Sequence, residues 1–248
     1  MAFYDLSKEA RAALVQQMEA AIGKALQSGR LAPLTAYAAD EDTYIRKNAY
    51  QALGRLYATQ PQRVLAAIDH LLKETDPKVR QTAVNAAGEI GRSNFEAVRA
   101  VMDSGLLDEH HMVRNAVIGS VKKMGEKNPQ PVLAWAKGYL QHPDKEIRRE
   151  ICHGIELRGR THPQDILPLL AALQHDKTAR VRNTLVHVLG QISYKKGCLE
   201  TVVAALKTWE NQALVKDALV EIIDVHERYK DFAVKTQAEA EEYITKSF

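Results

Sequence analysis

The chain has little of what staples a small or secreted fold. Its 248 residues include two cysteines, Cys152 and Cys198, too few for a disulfide framework and read as a reduced pair in a cytoplasmic protein. Aromatic residues amount to 6%, and proline and glycine to 8 and 13 residues, which excludes collagen-like and low-complexity architectures. No apolar run approaches the ~18 residues that would span a bilayer. The N-terminal MAFYDLSKEA has neither the basic region nor the apolar stretch of a secretory signal. Strict polar–apolar alternation, the mark of a half-buried strand, is absent. The net charge of +3 is modest for a dedicated duplex binder. With 46% hydrophobic and 26% charged residues, a chain of this length buries roughly 70–75% of its unfolded surface and needs no metal or disulfide to hold a core. We therefore expect a cytoplasmic protein that does not engage membranes.

What the chain does have is an internal repeat. The segments EDTYIRKNAYQALGRL from Glu41, TDPKVRQTAVNAAGEIG from Thr75, HHMVRNAVIGSVKKMG from His110, PDKEIRREICHGIELRG from Pro143 and TARVRNTLVHVLGQIS from Thr178 align on Arg46, Arg80, Arg114, Arg148 and Arg182. A degenerate sixth copy, ALVKDALVEIIDV, places Lys216 in the same column. The interval is 34 residues throughout, with no insertion or deletion. A fixed period of this length signals stacked supersecondary units.

Each unit reads as two helices. Counting from the basic residue, apolar side chains recur at −1, +3, +7 and +10, as in Val79, Ala83, Ala87 and Ile90, which is the stripe of a one-sided helix. Asp42, Asp76 and Asp144 are placed to cap its start, and Gly91, Gly125 and Gly159, at +11, suit a left-handed C-cap. A second helix follows, with Pro61, Pro129 or Pro163 near its start. Two helices cannot bury both stripes alone, so the units are expected to stack into an all-α, right-handed α-α superhelix.

The motif D-x-x-[VI]-R followed by A-x-x-[AL]-[LA]-G resembles short HEAT repeats, over about residues 31–230. The expected organisation is a single solenoid domain over 1–248: an N-terminal capping helix within 1–30, about six repeats over 31–230, and a C-terminal capping helix within 231–248, opened by Thr236. The resemblance implies that the arginine-bearing helices line the concave side. The arginine column itself reads as structural, each guanidinium bridging to an aspartate or carbonyl of a neighbouring repeat.

Positions opposite the apolar stripe, near +1, +5, +8, +9 and +12, should face away from the core. They are basic or amide-bearing through five repeats, and Lys47, Arg55, Lys123, Arg149, His153, Arg160, His187 and Lys195 are the candidate contact residues for a protein or duplex DNA partner. The sixth repeat turns acidic, with Asp217 and Glu221.

No autonomous catalytic constellation is visible. Gly154-x-x-x-x-Gly159-Arg160-Thr161 imitates a phosphate-binding loop, but it has Arg for Lys and ends a helix instead of joining a strand to one. Only His226-Glu227 has the His-Glu order that di-iron HEAT hydroxylases repeat on several helices. His153 and His187 share the +5 position in adjacent repeats, with Glu156 one turn from His153; a metal or proton-transfer site could be built there, but two imidazoles a helix spacing apart with no demonstrated third ligand read as ordinary polar surface, so no metal is expected, nor is a cofactor.

The stretch from His142 to Trp209 resembles the DNA alkylation repair branch of HEAT-like glycosylases. It carries HPDKEIRREICHGIELRGR, then ILPLLAALQHDKTARVRNTLVHVLGQISYKK, then VVAALKTWE. The motif residues differ: Asn115-Ala116 stands where one subgroup has Glu-Trp, and Val188 and Gln191 where it has Trp and Asp. Glycosidic cleavage needs a carboxylate to stabilise oxocarbenium-like charge; Glu156 is the best remaining candidate and Glu89 the next. The repeat is also similar to that of phycobilin lyases, but no cysteine occupies a recognisable bilin site. The resulting expectation is a non-enzymatic binding module with a basic concave face, and as alternative a DNA-binding, glycosylase-like protein.

Overall fold

The computed structural model describes residues 3–248. The helices are α1 (Lys8–Ser28), α2 (Ala32–Ala39), α3 (Thr43–Leu56), α4 (Pro61–Leu72), α5 (Pro77–Gly91), α6 (Arg99–Leu106), α7 (His111–Lys127), α8 (Pro129–Tyr139), α9 (Lys145–Gly154), α10 (Glu156–Gly159), α11 (Pro163–Ala171), α12 (Ala179–Gln191), α13 (Cys198–Leu206), α14 (Gln212–Arg228) and α15 (Gln237–Ser247). No strand occurs among the described residues. The chain divides into two compact units, one ending at Met124 and the other running Gly125–Phe248, and the division falls within α7.

In each unit the arginine-bearing helices form one layer and their partners the other. In the first, α1, α3 and α5 lie side by side, with α2 against α3 and α4 against α5. In the second, α9, α12 and α14 form the corresponding row, with α8 against α9 and α11 against α13. The predicted stripe is what the layers bury: Val79, Ala83, Ala87 and Ile90 of α5, and Val181, Leu185, Leu189 and Ile192 at α12, are all buried. Each large aliphatic side chain removed from water in this way contributes about 1.5–3 kcal/mol.

Local chemistry sets the helix ends as the repeat predicts. The side chains of Asp42, Asp76 and Asp144 accept from the backbone N–H groups of Tyr44, Lys78 and Glu146, and Pro61, Pro129 and Pro163 open α4, α8 and α11. Ser7 caps α1, and Thr236 and Glu239 form a reciprocal capping box on α15. The +11 glycines behave differently from expectation. Among the described residues only Gly29 and Gly197 have positive φ; Gly91 and Gly159 stay helical, and close packing leaves no room there for a side chain. A Cβ on Gly91 would lie 2.2 Å from Met124 Sδ, and one on Gly159 2.2 Å from Ile166 Cδ1.

Candidate functional site

The arginine column is a structural ladder. Arg46, Arg80, Arg114 and Arg148 each direct Nη1 to the backbone carbonyls six and five residues upstream: Asp40 and Glu41, Glu74 and Thr75, Asp108 and Glu109, His142 and Pro143. Two of them also grip an aspartate 28 residues downstream. Arg80 donates from Nε and Nη2 to Asp108 at 2.8 and 3.1 Å, and Arg148 to Asp176 at 2.6 and 3.2 Å. Burial would raise the pKa of Asp108, but the Arg80 guanidinium and the His110 backbone N–H more than offset it, holding the carboxyl below its usual range. Asp176 is held low in the same way, by Arg148 and the Thr178 N–H against its burial. Arg182 turns instead to Asp217, at 2.6 Å.

Apart from Lys195, the candidate contact residues lie on the arginine-bearing helices or, for Arg160, just past α10, and most are met there by carboxylates. In the first unit Arg55 donates twice to Glu19 Oε2, at 2.9 and 2.6 Å. Lys123 Nζ lies 3.1 Å from Glu89 Oε1 and 5.5 Å from the centre of the Tyr50 ring, while Arg92 takes the other Glu89 oxygen at 3.0 Å. Burial, reinforced by Glu89 and opposed by Lys123, pushes the Tyr50 phenol up. Lys47 is exposed.

In the second unit Glu146 bridges adjacent repeats, accepting from Arg149 Nε at 2.9 Å and from Arg180 Nη1 at 2.9 Å. Arg149 also reaches the buried Glu150, at 3.4 Å. Lys195 is exposed on the loop before α13.

Glu156 is the centre of this unit's polar cluster. Its +8 position predicted an outward side chain, yet it is 1% exposed. The +8 position faces the next helix of the row: in the unbroken α5 and α12 the +8 residues Gly88 and Gly190 are buried as well, an added Cβ there meeting Ser120 and Glu221. Its Oε1 accepts from Arg160 Nε at 2.9 Å and Nη2 at 2.5 Å, and its Oε2 lies 3.1 Å from His153 Nε2. Arg160 also donates to Gln191 Oε1 at 2.8 Å; Gln191, expected to face out, is buried as well. The His187 ring meets that of His153 edge-on, centroids 6.2 Å apart. Its Nδ1 lies 3.6 Å from Glu221 Oε1, and Glu221 is itself held by Arg228. His187, Asn183, Asp217, Glu221 and Arg228 line an open pocket of about 420 Å³. Beneath the cluster Cys152 is fully buried, and burial, then the nearby Glu156 charge, drives its thiol pKa well upward.

Sequence reasoning names Glu89, Glu156, Asp217 and Glu221 but not Glu19, Glu146 or Glu150, which also pair with these cations. The Glu146–Arg149 and Glu156–Arg160 spacings of three and four residues are a readable signal for ion pairs on one helix face. Glu19 offers no such signal, because it lies on α1, outside the repeat.

Solved structures share this architecture. AlkD2 from Streptococcus mutans matches with a TM-score of 0.56 at 17% identity, over 81% of this chain and 97% of its own. By fold, the chain is a HEAT-like repeat protein. The HEAT-like chain is also similar to smu.31 from Streptococcus mutans UA159, with a TM-score of 0.53 at 18% identity over 81% of this chain and 97% of that one. A TOG domain of crescerin, which uses a TOG array to regulate microtubules in the primary cilium, gives 0.51 at 18% identity over 76% and 87%. These likenesses show that the chain shares the α-α superhelical fold of HEAT-like and TOG-domain proteins. No protein-family model and no curated protein sequence matches it. No helix among the described residues is long and apolar enough to cross a membrane.

Proposed function

We propose that this HEAT-like chain is a non-enzymatic binding module in which the arginine-helix row of each unit docks a protein surface of mixed charge. The observation that carries this reading is the pairing of its cations: Arg55, Lys123, Arg149, His153, Arg160 and His187 each lie beside a carboxylate. A guanidinium already bonded to a carboxylate must surrender that partner before it can neutralise a phosphate. A face of alternating charge therefore gains little from a polyanion and more from a surface that offers both signs. Lys47 and Lys195, both exposed, supply the remaining positive ends. The likeness to a TOG domain, from a protein that acts on microtubules, agrees with a protein ligand.

A second reading, a DNA-binding protein of the alkylation repair kind, is favoured by the likeness to AlkD2. Glu156, the carboxylate it would need, is buried and engaged by Arg160 and His153, and Glu89, the next candidate, is bonded by Arg92 and Lys123.

Titration of the whole chain with a duplex at two salt concentrations separates the two readings. The protein-binding reading expects weak binding with a shallow salt dependence, below that of about two phosphate contacts, and no release of alkylated base. Tight binding with a steep slope, reduced by Lys47→Ala and Lys195→Ala, would overturn it in favour of the duplex.

A further inference from the structure

The readings above draw on His153, Glu156 and His187 singly, but the same row of helices also brings the three together. We propose that His153, Glu156 and His187 form a zinc-binding site. A nitrogen of each ring and a Glu156 oxygen lie within 4.8 Å of one another, and two imidazoles with one carboxylate are a donor set that suits zinc with a fourth position left open. Magnesium and calcium seek oxygen donors in larger number and are disfavoured by the two imidazoles.

The geometry is already most of the way to a coordinated ion. Ligand atoms about 2.0–2.1 Å from a tetrahedral zinc lie roughly 3.3 Å from one another, and the His153–Glu156 edge measures 3.1 Å. Only the His187 ring has to close, and it is 44% exposed and free to turn about its side-chain bonds.

The surroundings hold these groups in the manner of a metal site. Arg160 binds Glu156 through Oε1, so that Oε2 is presented toward His153. Glu221 faces Nδ1 of His187, the position from which a carboxylate selects the tautomer that offers Nε2 to an ion. Glu156 comes from α10 and is buried, whereas the two rings, on α9 and α12, reach solvent. One ligand is therefore rigid, and two are accessible to an arriving ion. The Arg160 charge beside the carboxylate weakens the site relative to a closed structural one, which places it in the exchangeable range.

The test is a titration of the full chain with zinc sulfate in competition with a chromophoric chelator, at neutral pH and without any partner. The expected result is one zinc per chain with a Kd of about 10 µM or tighter, near 7 kcal/mol. His153→Asn and His187→Asn should each weaken binding at least about tenfold, with the helical circular dichroism of the parent. His175→Asn, at an exposed ring paired with Glu210, should leave it unchanged. Cobalt substituted for zinc should give the intense visible bands of a four-coordinate ion. Absence of saturable binding, or a His153→Asn/His187→Asn double variant that binds as tightly as the parent, would overturn the proposal. Neither result bears on duplex or protein binding, which is measured separately.

Discussion

Arg80 grips Asp108 through two parallel hydrogen bonds, and Arg148 grips Asp176 through the same two, each across 28 residues of sequence. The same guanidinium group in each case also closes the turn before its own helix by binding two backbone carbonyls. One side chain thus fastens the entry to its own helix and the entry to the next repeat's arginine helix. At Arg80 and Arg148 that double duty calls for arginine: a lysine has one point of attachment where these two positions use a planar fork.

The ladder makes a first prediction. Arg148→Ala should destabilise the fold by about 3 kcal/mol, because it leaves Asp176 and two carbonyls without their donor. Arg148→Lys should recover less than half of the loss. Urea unfolding of the three proteins is the measurement, and a fully stable Arg148→Lys chain would contradict the fork argument.

The aspartates set the acid limit of stability. The folded pKa values of Asp108 and Asp176 lie below the ordinary 3.8. The stability they contribute is therefore complete above the unfolded value and is lost as pH falls from there through the lower folded value. His226 adds to the same trend. Burial, against the pull of its Ile222 carbonyl partner, lowers its folded pKa below 6.5, so folding loses stability as pH drops below that value and the unfolded ring gains a proton. Thermal melts from pH 7 to pH 3 should show two stages of decline. Asp108→Asn and Asp176→Asn should flatten the second while lowering the plateau.

Two classes of glycine should respond oppositely to alanine. Gly159→Ala places a methyl against Ile166 and Ile192 and should cost about 1–3 kcal/mol through overpacking. Gly23, inside α1 with nothing within 4 Å of an added Cβ, should gain about 0.5–1 kcal/mol from the same change. A melt of each variant decides; equal effects would mean that helix propensity, not close approach, governs Gly159.

The two thiols should be silent in the native protein. Cys152 and Cys198 are buried, and burial raises both pKa values, so little thiolate exists at neutral pH. Reaction with a disulfide reagent should be slow in buffer and release two equivalents in denaturant. Rapid native modification would show that the α9 and α13 environments open readily.

Sequence alone determined the helical class, the 34-residue unit and the helix starts, because those follow from local chemistry: an apolar stripe every turn, an aspartate four residues before the arginine, a proline in the first turn. It also marked the arginine column as structural, since a single residue type held at one register implies a single recurring contact. Tertiary structure decided the rest. Gly91 and Gly159 are set by the approach of Met124 and Ile166 from other helices, which no local signal announces. The burial of Glu156 depends on the approach of the next helix in the row, as at Gly88 and Gly190 in the same position, and the neutralisation of Arg55 on Glu19, 36 residues away. Whether a cation faces solvent or a carboxylate depends on what the neighbouring helix brings to it, and that is fixed only when the layers pack.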